Sequence, residues 1–270
     1  MSNIDRFAAE ALELNNICYA YEGSTALDSI SMKIRKGEAV AFMGPNGSGK
    51  STLLKIINGL IFPDSGSYFF CGDEVTEKKM KDSVYAKSLH KRIGFIFQNS
   101  DAQLFNTTVY DEIAFGPRQM GMDEEAAGKR TDDCISMLGI EHLRERSPYH
   151  LSGGEKHKVA IASVLALNPE LLVLDEPMIG LDPRSQRWLV DFLAQMNEAG
   201  KTIITSTHNL DLVQEVSDRT ILFGEDHKIL ADSKTADILG NQPLLVNANL
   251  VDEYYHMHHD NGHVHFHDHE

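Results

Sequence analysis

The chain has 270 residues, 42% of them hydrophobic, which suits one substantial packed core with at most a small appended lobe. Its formal net charge of -15 argues against a general binder of nucleic acid or of anionic membranes, because phosphates recruit lysine and arginine. Three cysteines, Cys18, Cys71 and Cys134, stand far apart without C-x-x-C spacing, which suggests neither a disulfide framework nor a thiolate metal site and fits a reducing cytoplasm.

Residues 1–10 lack the charged-then-apolar order of a secretion signal, and no apolar run approaches the roughly 20 residues that cross a bilayer. Any membrane role is expected to come through a partner. Residues 12–21 and 67–70 carry β-type side chains beside turn signals and predict an antiparallel sheet at the start of the core. Residues 38–43 predict a short buried strand ending in a glycine-rich turn, and 50–60 have the apolar spacing of a helix. Between 107 and 149 the pattern is polar and mostly helical, punctuated by Gly116, Gly121, Gly128 and Gly139, and predicts a helical lobe inserted into the core. Buried-strand signatures at 171–174 and 202–205, separated by helical stretches, predict a parallel sheet with right-handed crossovers, hence an α/β core. A hairpin is expected over 219–232, turning at Glu225 and Asp226, and 254–270 is a histidine-rich tail without a fold of its own.

Gly44-Pro45-Asn46-Gly47-Ser48-Gly49-Lys50-Ser51 fits G-x-x-x-x-G-K-[ST] between a predicted strand and a predicted helix, the context a phosphate-binding loop needs. Glycines let backbone N–H groups converge on a β-phosphate, Lys50 reaches the β and γ oxygens, Ser51 can ligate Mg²⁺, and Thr52 completes the nucleotide-binding set. Leu171-Leu172-Val173-Leu174-Asp175-Glu176 ends a buried strand in two acids, Asp175 toward a metal and Glu176 toward an attacking water. An ordinary strand end would give the same run; Lys50 upstream favours the chemical alternative. Leu151-Ser152-Gly153-Gly154-Glu155 offers a serine hydroxyl and glycine N–H groups at a helix start, fit for a γ-phosphate and equally for a helix cap.

Together these motifs resemble the ATP-binding-cassette (ABC) ATPases, over residues 10–240, with Leu151 to Glu155 as the family's signature motif. The resemblance implies a P-loop NTPase core with an antiparallel β subdomain and a helical signature subdomain inserted at about 100–155, followed by a C-terminal extension over 241–270 with the histidine-rich tail from about 254. It implies ATP and Mg²⁺ as cofactors. It also implies a second ABC ATPase subunit, identical or related, with a homodimer expected: each ATP is held by Lys50 and Ser51 of one chain and by Ser152, Gly153 and Gly154 of the other. Tyr21, with Tyr19 as the competing aromatic, would stack on adenine. Gln98 stands at the Q-loop, contacting Mg²⁺ and the water, Gly180-Leu181-Asp182 at the D-loop, and His208 at the switch position. Met178 and Ile179 stand where the family usually has small polar residues, and Lys158 replaces a common arginine.

Phe97-Gln98-Asn99-Ser100-Asp101-Ala102-Gln103-Leu104-Phe105 resembles the Q-loop of energy-coupling-factor importers, usually F-Q-N-P-D-D-Q-L-F, with departures at Ser100 and Ala102. That implies a transmembrane coupling subunit and a substrate-binding membrane subunit as partners, no nucleic acid, and a peripheral place on the cytoplasmic face of the cell membrane. His256, His258, His259, His263, His265, His267 and His269 put seven of the 13 histidines in the last fifteen residues, a composition that suits Ni²⁺, Cu²⁺, Zn²⁺ or Co²⁺. Within this branch nickel and cobalt importers are the match. A solvated tail, a purification tag or a metal buffer off the transport path would share the composition, although Asp260, Phe266 and Asp268 argue against a tag. Another substrate such as a vitamin, or a soluble cassette protein with a metal-buffering tail, is the alternative function. His90, His142, His150, His157 and His227 occur singly and are expected to be structural.

Overall fold

A computed structural model describes residues 10–251. Strands β1 (Glu10–Tyr21) and β2 (Ser24–Arg35) make a long hairpin, and β3 (Ala39–Met43) leads through the glycine loop into α1 (Lys50–Ile57). Then come β4 (Ser65–Phe70), β5 (Asp73–Glu74), α2 (Glu77–Met80), α3 (Ser83–Arg92) and β6 (Ile93–Ile96). The lobe consists of α4 (Val109–Gln119), α5 (Glu124–Met137) and two 3-10 turns, Glu141–Leu143 and Pro148–His150, before α6 (Gly153–Leu165) returns to the core. The chain continues with β7 (Leu171–Asp175), α7 (Pro183–Glu198), β8 (Thr202–Thr207), α8 (Leu210–Val216), β9 (Arg219–Phe223), β10 (Ile229–Lys234), α9 (Thr235–Leu239) and α10 (Gln242–Asn247).

Among the described residues these strands form two sheets. One is four-stranded in the order β2-β1-β4-β5, antiparallel throughout; the other is six-stranded in the order β10-β9-β3-β8-β7-β6, parallel except for β10. The α/β core expected from the sequence is therefore present. Both β3 and β7 are apolar on two faces because helices or the second sheet cover each side, as parallel sheets require. Alternation along β7 sends Leu171 and Val173 toward α1 and the antiparallel sheet, and Leu172 and Leu174 toward α6 and α7. Along β3, Val40 and Phe42 join the first of these cores, while Ala41 and Met43 pack with Val213 of α8, Ile238 of α9 and Leu245 of α10.

Strand β2 has no counterpart among the predicted strands, although Leu27, Ile30, Met32 and Ile34 all point inward. Ser29 sits at φ 56° in a bulge that shifts the β1–β2 register between Leu27 and Ile30, and this hides the two-residue period. The order β3-β8-β7 sets up the site: Met43 pairs with Thr207 and Asp175 with Ser206, so the ends of three adjacent strands lie level at one edge of the sheet. No helix among the described residues is long and apolar enough to cross a membrane.

Candidate nucleotide site

The loop after β3 can be built only with glycine at two points. Gly49 has φ 100° and a Cβ there would stand 2.2 Å from the Ala26 carbonyl oxygen of β2; Gly44 has φ 151° and its Cβ would stand 2.6 Å from the Phe223 carbonyl oxygen of β9. The loop is thus wedged between neighbouring strands, and it turns directly into α1, whose N-cap Gly49 offers no side chain to occupy the first-turn N–H groups.

Lys50 is 6% exposed, and its Nζ donates to the carbonyl oxygens of Gly44 at 2.7 Å and Pro45 at 2.9 Å. Burial pulls its amine below the ordinary lysine range, opposed by the nearby carboxylates of Glu176 and Asp175. Ser51 Oγ donates to Asp175 Oδ1 at 3.0 Å, from the first turn of α1 to the end of β7. Ser206 of β8 joins them: its hydroxyl donates to Asp175 Oδ1 at 2.5 Å and accepts the Glu176 N–H at 3.1 Å. Glu176 leaves the strand at φ 43°, only 9% exposed, and its Oε1 lies 3.0 Å from His208 Nδ1.

Lys50, Ser51, Glu176 and His208 face a cavity of about 440 Å³ bordered also by Tyr21, Asn46, Gly47, Gly49, Thr52, Gln98 and Ile179. Asp175 and Ser206 are not on its lining, and Asp175 connects to it through Ser51. Gly44 and Pro45 contribute through their carbonyls to Lys50, and Ser48 turns inward, its Oγ buried without a partner among the described residues. Between the two aromatic candidates the cavity takes Tyr21, which is 42% exposed; Tyr19 packs against it edge to face at 4.8 Å. Ser24, Thr25 and Ala26 of β2 and His227 of the β9–β10 turn also border the cavity. No motif marks these four, and the expectation that His227 is merely structural does not account for its place there.

Ser152, Gly153 and Gly154 do not border this cavity. Ser152 caps α6 in a full capping box, with its N–H and Oγ both donating to Glu155 Oε2 at 2.8 Å and its Oγ accepting the Glu155 N–H. The backbone and side-chain bonds from Ser152 hold the Glu155 carboxyl below the usual range. The helix start abuts the D-loop: a Cβ on Gly154 would lie 2.4 Å from Ser185 Oγ, and that hydroxyl donates to Asp182, the cap of α7. The Q-loop, in turn, is braced on α6. Lys156 reaches Asp101 at 2.6 Å, Gln103 Nε2 donates to the Ala160 carbonyl at 3.2 Å, and Ser100 Oγ lies 3.4 Å from His157 Nδ1.

The ABC transporter family profile matches residues 27–179, more than half of the chain. The chain belongs to the ABC transporter family. This ABC ATPase is 47% identical to the nickel import ATP-binding protein LarO of Lactiplantibacillus plantarum, with 86% of this chain and 96% of that protein covered. Its fold is similar to that of cbiO1 from Clostridium perfringens, described as part of the ABC transporter complex cbiONQ, at TM-score 0.78 and 34% identity, covering 90% of this chain and 95% of that one. It is also similar to the ATP-binding cassette MJ0796, solved as a dimer in a post-hydrolysis state with ADP and Pi, at TM-score 0.74 and 29% identity, covering 83% and 98%. The ABC ATPase is thus an ATP-binding, ATP-hydrolysing subunit of a transporter. The tail from His256 to His269 lies outside the described residues, and among those described no group of three or more metal-ligating side chains occurs.

Proposed function

We propose that this ABC ATPase drives uptake of nickel or cobalt through an importer of the energy-coupling-factor type, as a peripheral subunit on the cytoplasmic face of the membrane. The tail carries the choice of ion: seven histidines with interspersed acids are a donor set for late transition metals, and the nickel import relative supports the same ion class. The resemblance of residues 97–105 to the importer Q-loop supports a transmembrane coupling subunit and a substrate-binding membrane subunit as partners.

In the ATPase cycle we assign, two copies stand head to tail, and Ser152, Gly153 and Gly154 of one copy complete the cavity of the other. Their absence from the lining of their own chain's cavity and the dimeric MJ0796 neighbour support this arrangement. Lys50 and the loop N–H groups hold the β and γ phosphates, and Tyr21 takes the base. Ser51 Oγ and the Asp175 carboxylate, 3.0 Å apart, are hard oxygen donors that fit Mg²⁺, with Gln98 at the cavity wall as a further oxygen donor. When bound, Mg²⁺ would neutralise phosphate charge. Glu176 orients the attacking water and accepts its proton, and His208 steadies that carboxylate at 3.0 Å.

The test is co-purification with the candidate membrane subunits, then ATP-driven uptake of radioactive Ni²⁺ and Co²⁺ into vesicles, comparing wild type, Glu176→Gln and a chain ending at Tyr255. Uptake of either ion that vanishes in Glu176→Gln is expected. Hydrolysis of ATP with no ion moved would remove the ion and leave the ATPase.

A further inference from the structure

We infer that His227 is a second base-side residue of the nucleotide site, presenting its imidazole beside Tyr21 and helping to set which nucleotide is held. It rests on Tyr21 marking the base side, as assigned above, and goes beyond it by adding a residue that no motif identifies.

The strand order decides the side. The phosphate loop leaves β3, whose two neighbours in the sheet are β8 and β9. The acids and their partners on the hydrolytic side, Asp175, Glu176, Ser206 and His208, come from β7, from β8 or from just after them. A nucleotide whose terminal phosphates point that way must send its base across the loop, toward β9 and β2. Tyr21 pairs with Ser24 at the start of β2, and the β9–β10 turn is tied to the same strand: the Asp28 N–H donates to the His227 carbonyl at 3.0 Å, and Lys228 meets Asp28 at 3.2 Å. Tyr21 and His227 border the same cavity.

The local geometry of His227 is poorly explained by a role in the fold. It adopts φ 62°, a left-handed conformation that glycine takes without strain and a side chain resists. The turn is held through its backbone, the His227 N–H donating to the Gly224 carbonyl at 3.1 Å, so the side chain is not needed to close it. The imidazole Nδ1 is buried and has no hydrogen-bond partner among the described residues, so no such contact fixes the ring where it is. Residues kept in strained backbone positions gather at sites of function. An imidazole offers what a purine needs there, a flat π face for stacking and a ring nitrogen for hydrogen bonding.

The experiment measures binding of ATP, GTP and inorganic tripolyphosphate to the full chain, with ATPase kinetics and thermal unfolding, for wild type, His227→Gly, His227→Phe and Tyr21→Ala. Removing the ring in His227→Gly is expected to weaken ATP about five- to tenfold. The rise should fall on KM, with kcat changed less than about twofold. Tripolyphosphate, which lacks a base, should bind as to wild type, and Tm should hold or rise because the left-handed strain is relieved. His227→Phe keeps a stacking face and should recover most of the ATP affinity while altering the ATP to GTP ratio. Unchanged ATP affinity in His227→Gly alongside a loss in Tyr21→Ala would overturn the role of His227 and leave Tyr21 as the base contact. No loss in either variant would overturn both. An equal loss for ATP and tripolyphosphate with a lowered Tm would show that His227 only shapes the turn.

Discussion

Glu176 Oε1 and His208 Nδ1 lie 3.0 Å apart, joining the residue after β7 to the residue after β8 across the end of the sheet. The backbone of Glu176 is itself held, its N–H donating to both the carbonyl oxygen and the hydroxyl of Ser206, each at 3.1 Å. The carboxylate is therefore fixed at two points beside the cavity, and removing its charge should leave the pocket shape intact. Glu176→Gln is expected to bind ATP as wild type and to lose about 10²- to 10⁴-fold in kcat. His208→Ala should lower kcat as well, and the double variant should lose little more than Glu176→Gln alone, because the two act through one carboxylate. Steady-state hydrolysis over the four chains of this cycle measures the coupling; additive losses would separate the two residues.

Gly49 is the tightest point of the loop. In Gly49→Ala the new methyl would overlap the Ala26 carbonyl oxygen, and φ 100° would still be imposed on a residue with a side chain. Relief requires moving β2 or opening the loop, so the fold should lose about 1–3 kcal/mol and ATP binding should weaken beyond detection. Urea unfolding and nucleotide binding report the two effects. Gly47→Ala is the contrast: with φ 85° but open space around its Cβ, it should be destabilised by the backbone strain alone.

The place of the candidate site was legible because short runs of sequence mark it. The loop from Gly44 to Ser51 and the acids Asp175 and Glu176 each sit where a buried apolar strand stops, so local pattern located both, and their spatial meeting followed from parallel-strand topology. His227 and the Ser24 to Ala26 segment left no such trace, since they reach the cavity through tertiary neighbours: β9 beside Gly44 and β2 beside Gly49. The Ser29 bulge removed the alternation that would have announced β2. Tyr21 and Tyr19 could not be separated by sequence because residues two apart in a strand share a face; the structure separates them by exposure, with Tyr21 at the cavity.

His157 ties acid stability to the Q-loop. It is 3% exposed on α6, and burial alone pushes its imidazole down to about 4, so it stays neutral in the folded protein well below the pH at which an unfolded histidine takes a proton. Between about pH 6.5 and 4 the unfolded chain therefore binds more protons at this residue than the folded one, and stability falls as pH falls. The full effect is about 3 kcal/mol, reached near pH 4. His157→Leu should flatten that limb of the curve while releasing Ser100, which lies 3.4 Å from the ring. Urea midpoints at pH 7 and pH 5 test it; an equal drop in wild type and His157→Leu would assign the acid limb to other groups.

Lys50 sets stability against function. Folding buries its amine and lowers its affinity for a proton, so the charged form is disfavoured in the free protein by desolvation, with Glu176 and Asp175 offsetting part of that cost. The unfolded chain then binds more protons at this lysine than the folded one between its lowered folded value and the ordinary lysine value. Over that alkaline window the contribution of Lys50 to stability improves as pH rises. Lys50→Met keeps much of the side-chain volume, removes the buried charge, and leaves the Gly44 and Pro45 carbonyls unpaired by it. Near neutral pH the variant is expected to unfold at the same or a higher temperature than wild type without nucleotide, and to show no rise in Tm when ATP is added, whereas wild type should rise with ATP concentration as linkage requires. A variant that unfolds well below wild type without nucleotide would mean that the two carbonyl bonds outweigh the burial of the charge.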